Sequence, residues 1–207
     1  MNDQIKPIRQ QYFKEFLTTN SGNTNPYHNL RHALRVVDEV AKGLKLLAER
    51  DPDTWTPQKL ETLLVAALFH DWGHPGKASN DVENVNRAAE KVLSLPKEWN
   101  PDVDLDLAAE AIRGTQFPFL DASVLTPVQE ILRDADVWHQ AMLSYEDWFD
   151  AQVGLATELG IPLNKWFGMT EEFVGGLLAF GPRAAILKGM YQENLMARAR
   201  DWAAVLS

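Results

Sequence analysis

The chain has 207 residues, no cysteine and a formal net charge of −9, with a sequence pI of about 5.0. This composition excludes disulfides, thiolate zinc sites and iron–sulfur clusters, and it provides no basic surface to hold a long nucleic acid through counterion release. Any metal ion must therefore be held by His, Asp or Glu side chains.

The hydrophobic fraction of 45% is sufficient for a core, so we expect residues 1–207 to form a single domain. No apolar signal core follows Met1, and no stretch approaches 18 consecutive apolar residues. We therefore expect a cytoplasmic protein that does not enter a membrane. Helical spacing of apolar residues occurs throughout and strand alternation is almost absent, which predicts a compact all-α fold.

In the first half of the chain, an Asn-Pro and a Thr-Pro dipeptide each place a capping side chain before a proline at the first helical position. Together with the apolar spacing they predict helices over 4–18, 26–49 and 57–71. The third of these becomes apolar on most sides toward its end, so we expect it to be central and buried.

The second half begins with a loop over 74–81 that is rich in Pro, Gly, Ser and Asn and is long enough to line a site. Apolar spacing and capping sequences then predict further helices over 82–93, 103–114, 127–142 and 144–159, and from Thr170 and Pro182 onward. We expect the C-terminal helices, over 144–207, to cover the site or to form an interface, for example in a homo-oligomer.

The segment LLVAALFHDWGHPG, residues 63–76, ends an apolar helix in adjacent imidazole and carboxylate groups. Burying His70 and Asp71 without a partner would cost on the order of several kcal/mol. Either a metal ion or a set of hydrogen bonds at the helix terminus can provide that partner. His74 follows His70 by four residues and offers a further ligand.

Two other segments carry residues of the same types. Four residues separate His28 from His32, which on one helix face puts their side chains about 6 Å apart. They either serve a metal site or are half-exposed residues of a first turn. Asp134 and Asp136 lie in an otherwise apolar stretch, where they are either metal ligands or part of a solvated helix face.

Taken together, the order His, His-Asp, Asp resembles the HD superfamily of metal-dependent phosphohydrolases, which is named after its His-Asp pair. YHNLRHALRVV, residues 27–37, resembles the YHNxxHAxxV signature of class I cyclic-nucleotide phosphodiesterases, and HDWGHPG is similar to their HDxxHPG. The resemblance covers about residues 25–140. It implies a phosphodiesterase-like helical bundle with a metal site between helices.

The resemblance also implies a role for each matched residue. One or two divalent metal ions, of Zn, Mn, Fe, Co or Mg, would be held by His32, His70, Asp71 and Asp136. Asp136 is preferred over Asp134 because the last ligand of the superfamily usually follows a small residue and precedes a large apolar one. Such metals would present hydroxide to phosphorus.

The same resemblance implies that His28 is the general acid and that His74 hydrogen-bonds the hydroxide or a phosphate oxygen. The substrate would be a small phosphorylated molecule such as a nucleotide or cyclic nucleotide. The cations that we predict to contact its phosphate are Lys77, Arg31 and Arg113.

The sequence departs from the phosphodiesterases after the HPG motif. Asn80 comes one residue later than their asparagine, and residues 82–95 contain no histidine, which leaves Glu83 or Glu90 to supply a lone carboxylate there. These departures put specificity for cyclic nucleotides in doubt.

Two other functions are compatible with the same scaffold. A di-iron oxygenase similar to myo-inositol oxygenase needs additional histidines after the His-Asp pair, whereas only His74 and His139 lie beyond His70. A non-catalytic sensor or binding module would use the metal only to hold helices together. Every position that would be catalytic carries a residue type able to do that chemistry, which favours an enzyme. We expect His139 to be structural.

Overall fold

The computed structural model describes residues 10–77, 80–117, 125–139, 143–166 and 169. Within these ranges there is no strand, so the all-α prediction is confirmed. The main α-helices are α1 Gln10–Thr19, α2 Leu30–Arg50, α3 Pro57–Phe69, α4 Asp81–Leu93, α5 Leu105–Arg113, α6 Pro127–Trp138 and α7 Tyr145–Leu159, and a 3₁₀-helix covers Lys97–Trp99. The helices predicted from Thr170 and Pro182 lie outside the described residues. No described helix has both the length and the apolar character needed to span a membrane.

Helix α3 lies at the centre of the bundle, as the sequence predicts. It contacts α1, α2, α4, α5 and α6, and every residue from Thr62 to Phe69 is buried. A helix that is apolar on most sides is stable only when other helices surround it. Replacing one of its buried leucines, such as Leu63, by alanine would cost about 2–5 kcal/mol.

The start of α2 differs from the prediction. The cap is Asn29, whose side chain accepts hydrogen bonds from the backbone N–H groups of Arg31 and His32. Asn25 lies in the preceding turn instead, because its side-chain amide is engaged by the backbone of His74 in another segment. The predicted start at residue 26 was therefore wrong, and His28 lies before the helix.

The other capping predictions are closer to the structure. Thr56 caps α3 with Pro57 in the first turn, and the backbone N–H of Thr126 donates to Gln129 Oε1 (2.9 Å) at the start of α6. However, α3 ends at Phe69, earlier than predicted. Helix α6 is described to Trp138, and residues 140–142 of its predicted range lie outside the described residues. His70 and Asp71 thus lie in the turn that follows α3.

Contacts from the last residue of α1, from the residue after it and from α4 hold this turn. Trp72 Nε1 donates to Thr19 Oγ1 (3.0 Å), and the backbone N–H of Gly73 donates to Asn20 Oδ1 (3.3 Å). From α4, Arg87 Nη1 donates to the carbonyl of Gly73 (3.1 Å). Gly73 has a φ of 71°, which favours glycine, so the chain can reverse directly after the His-Asp pair.

Candidate active site

The first cluster of the site begins with the His-Asp pair. His70 is buried, and its Nδ1–H donates to the carbonyl of Ala67 (2.8 Å). In the neutral ring the proton is therefore on Nδ1, and the Nε2 atom carries the lone pair. That atom lies 3.0 Å from Asp71 Oδ2, 3.4 Å from Asp136 Oδ1 and 3.1 Å from His32 Nε2.

His32 completes this arrangement from α2. Its Nε2 lies 3.0 Å from Asp71 Oδ2 and 3.1 Å from Asp136 Oδ1. The four residues each offer a ligand atom within 4.8 Å of the others. Among the described residues, the buried Oδ2 of Asp71 has no hydrogen-bond partner. Two imidazole nitrogens and two carboxylate oxygens therefore converge on one point, where they require a positive charge.

The pKa values of these groups indicate the same requirement. Burial works against charge on His70, but the charges of Asp71 and Asp136 raise its pKa well above the usual value. Burial would likewise raise the pKa of both carboxyl groups, yet the neighbouring histidines hold Asp71 and Asp136 below their usual range. A divalent cation would satisfy this ligand set, which suits several metals. The Nδ1 bond of His70 to a backbone carbonyl is typical of a metal-ligating imidazole.

A second cluster lies beside the first and joins three separate segments. Glu158 of α7 is buried, and its Oε1 accepts from the backbone N–H groups of Tyr27 (2.5 Å) and His28 (2.8 Å). Its Oε2 accepts from Nδ1 of His28 (2.5 Å). The His28 ring stacks on His74, with centroids 3.8 Å apart and planes at 27°. Nδ1 of His74 accepts from the N–H of Gly76 (3.1 Å).

Donors and acceptors are matched in this second cluster, unlike the first. His28, His74 and Glu158 also offer ligand atoms within 4.8 Å of one another. However, Glu158 already accepts three hydrogen bonds, and stacked rings direct their in-plane lone pairs side by side instead of toward one point. The first cluster can hold a cation, whereas the second can hold and move a proton.

The pKa shifts in the second cluster support that division. Burial lowers the pKa of His28, but the carboxylates of Asp71, Glu158 and Asp136 outweigh it and raise the pKa overall. Burial and the neighbouring His28 lower the pKa of His74 to about 4. The charged form of His28 therefore persists to a higher pH than that of an ordinary histidine, while His74 is neutral near pH 7.

Comparison with known families places the first cluster in a recognised fold. A family model of the HD domain matches residues 31–141. The chain belongs to the HD domain family. Proteins of this superfamily are generally metal-dependent phosphohydrolases, and HD domains bind divalent metals. No match was found among curated proteins or among solved structures.

The matched range contains the four residues of the first cluster but not the whole second cluster. His28 precedes the range, and Glu158 follows it. The HD domain of this protein is thus extended at both ends by residues that contact each other beside the predicted metal site.

The predicted substrate-binding cations lie at the surface. Arg31 is paired with Asp147 and Asp150 of α7, and Arg113 Nε donates to Asn86 Oδ1 (3.4 Å). Lys77 is exposed in the loop directly after HPG. The contact of these three residues with a substrate stays a prediction.

Two glutamates that we considered as lone carboxylates near the site, Glu83 and Glu90, are exposed. The half-buried carboxylate of that helix is Asp81. Burial raises the pKa of Asp81, and the charges of Asp71 and Asp136 raise it further.

Sequence reasoning missed Glu158 and gave His139 a structural role. Glu158 lies in an amphipathic helix 130 residues from His28, and no local pattern distinguishes it from a solvated glutamate. His139 is buried, with its ring centroid 5.0 Å from that of His32 and its Nδ1 2.5 Å from the carbonyl of Asp136. The available signal was that His139 follows Asp136, the last predicted ligand, by three residues and is therefore close to it on the same predicted helix.

Proposed function

We propose that this HD protein hydrolyses a small phosphoester, with nucleotides or cyclic nucleotides as the substrate class. The observation that carries the proposal is the histidine His28, hydrogen-bonded to Glu158 and stacked on His74, beside a cluster suited to a divalent metal. The centroids of the His28 and His32 rings are 5.8 Å apart, so an acid and a candidate metal ligand face the same space.

The metal would be held by His32, His70, Asp71 and Asp136. When bound, it would lower the pKa of a coordinated water and offset the negative charge of the phosphate. Charge compensation matters here because the protein itself carries a net charge of −9.

His28 acts as the general acid in this proposal. Its Nδ1–H is directed at Glu158, so Nε2 is the atom that delivers a proton. A water loses a proton to solvent, and as the resulting hydroxide oxygen bonds to phosphorus, the ester P–O bond breaks and the leaving alkoxide takes the proton from Nε2. His28 then regains a proton from solvent.

His74 binds the phosphate as a neutral donor. Because its Nδ1 accepts from Gly76, its proton is on Nε2, which is free to donate to a phosphate oxygen or to the attacking hydroxide. The low pKa of His74, about 4, keeps a second positive charge away from His28. The two stacked rings thus have different protonation states and different tasks.

To test the proposal, the protein is reconstituted with Zn, Mn, Fe, Co or Mg, and the bound metal is measured. The release of phosphate or alcohol is then measured over a panel of nucleoside monophosphates, cyclic nucleotides and nitrophenyl phosphoesters. We expect His70→Ala and Asp71→Asn to lose both metal and activity. His28→Asn should retain metal and lose about 10²–10⁴-fold in kcat. Asp53→Asn, at an exposed loop position, is the matched control.

Full activity of the His70→Ala and Asp71→Asn variants would overturn the proposal. Iron binding with O₂ uptake would favour an oxygenase instead. Metal binding that raises the melting temperature without hydrolysis of any substrate would favour a non-catalytic module.

A further inference from the structure

We infer that Asn25 is a positioning residue that holds His28 and His74, the two histidines of the second cluster, in their stacked arrangement. A single atom of its side chain, Nδ2, donates to the backbone carbonyl of His28 (3.2 Å) and to that of His74 (2.8 Å). These carbonyls belong to two segments that are well separated along the chain, since Asn25 and His74 are 49 positions apart.

Asn25 is itself held on several sides. Its backbone N–H donates to Asn23 Oδ1 (2.9 Å), and its carbonyl accepts from Asn29 Nδ2 (2.9 Å). Its Oδ1 occupies the space beside Gly76, where an added Cβ would lie 2.1 Å away. Gly76 also has a φ of 65°, so both its conformation and the adjacent amide exclude a side chain at that position.

This bridge acts together with the bonds of Glu158 to His28 to set how the two imidazoles meet, and Asn23 Nδ2 donates to the same carbonyl of His28 (2.8 Å). Fixing the carbonyls of His28 and His74 fixes the backbone from which each ring projects, and the rings then stack with centroids 3.8 Å apart. An amide is required because both partners are acceptors. Aspartate has the same shape but would place a carboxylate oxygen against two carbonyl oxygens.

The metal ligands have supports of their own, because His32 projects from α2, Asp136 projects from α6, and the turn that carries His70 and Asp71 is bonded to Thr19, Asn20 and Arg87. The effect of Asn25 on catalysis rests on the proposed function, whereas its effect on the stacked rings does not. The inference therefore predicts that a change at Asn25 separates the two rings and leaves metal binding intact.

The experiment compares the full-length Asn25→Asp and Asn25→Ala variants with the native protein, and with Thr24→Ala as the control at an exposed position of the same loop. Bound metal and melting temperature are measured first. Histidine-labelled NMR then follows ring–ring contacts, and we expect the variants to lose the His28–His74 contact and to retain the resonances of His70.

Activity is measured on two phosphoesters that differ only in the leaving group. We expect an alkyl ester to lose about 10–100-fold in kcat, because an alkoxide needs a proton, and a nitrophenyl ester to lose about threefold or less. Equal loss on both esters, or a preserved ring contact in Asn25→Asp, overturns the inference. If the native protein hydrolyses neither ester, the proposed function fails, and the NMR contact still decides the role of Asn25.

Discussion

Nδ1 of His28 lies 2.5 Å from Oε2 of Glu158, although the two residues are 130 positions apart in the chain. The same face of α7 makes contacts at two further positions, one with the segment before α2 and one with α2 itself. Gly154 lies directly against Pro26 and Tyr27, and Asp147 pairs with Arg31 and Arg35. Helix α7 therefore determines where the proposed general acid is held.

Glu158→Gln should shift the pH dependence of the reaction. Glu158 raises the pKa of His28, so loss of its charge lowers that pKa and the rate falls at a lower pH than in the native protein. The measurement is kcat/KM from pH 6 to 9 with bound metal determined in parallel. Glu146→Gln, at an exposed position of the same helix, is the control. An unchanged basic limb would contradict the assignment of His28 as the acid.

The same pair should stabilise the metal-free protein in a defined pH window. The folded pKa of His28 is raised above 6.5, so its contribution is complete below about pH 6.5 and is lost as the pH rises through the folded value. The folded pKa of Glu158 is lowered below 4.5, so its contribution is present above about pH 4.5 and is lost as the pH falls through the folded value. The pair therefore stabilises most between these two limits.

Urea unfolding of the native protein and of Glu158→Gln, with chelator present, measures this contribution. We expect a difference of about 1–3 kcal/mol in the window, and a smaller difference near pH 9. A difference that does not change with pH would show that the variant acts through packing alone.

Gly154→Ala should displace α7 from the segment that carries His28. An added Cβ would lie 2.9 Å from the carbonyl oxygen of Pro26 and 3.3 Å from Cβ of Tyr27. We expect a loss of about 1–3 kcal/mol in the free energy of unfolding, and reduced activity with metal retained. Gly22→Ala is the control, because nothing lies within 4 Å of its added Cβ, and it should stay within about 0.5 kcal/mol. Native stability of Gly154→Ala would refute the close contact.

His139 should strengthen metal binding through His32. Nδ1 of His32 and Nε2 of His139 are both buried without a hydrogen-bond partner in the described part of the chain. The Nδ1 atom of His139 is directed at the carbonyl of Asp136, which leaves Nε2 as an acceptor. We expect His139→Leu to weaken metal affinity about 10–100-fold in a chelator competition, since the second ring nitrogen of a ligating histidine usually donates. His139→Gln keeps an acceptor and should lose less; equal losses would show that His32 does not use an acceptor at this position.

Local sequence was informative wherever a residue's environment follows from its own helix. The apolar run before His70 predicts a buried central helix, and α3 is that helix. Motif resemblance predicted His32, His70, Asp71 and Asp136 as metal ligands, and the structure brings one ligand atom of each within 4.8 Å of the others. The distance between His28 and His32 was also close to the expected value, but the reason was wrong, because His28 is placed by Glu158 and by the turn at Asn25, outside α2.

By itself, the sequence determined the all-α fold and the types of ligand that this HD domain offers, because helical periodicity and the absence of cysteine are properties of short segments and of composition. Only the tertiary structure decided that Asn29 caps α2, that Asn25 joins His28 to His74, and that Glu158 is the partner of His28. Each of the last two depends on a hydrogen bond between segments far apart in the chain, and the spacing of residues within one segment does not encode such a contact.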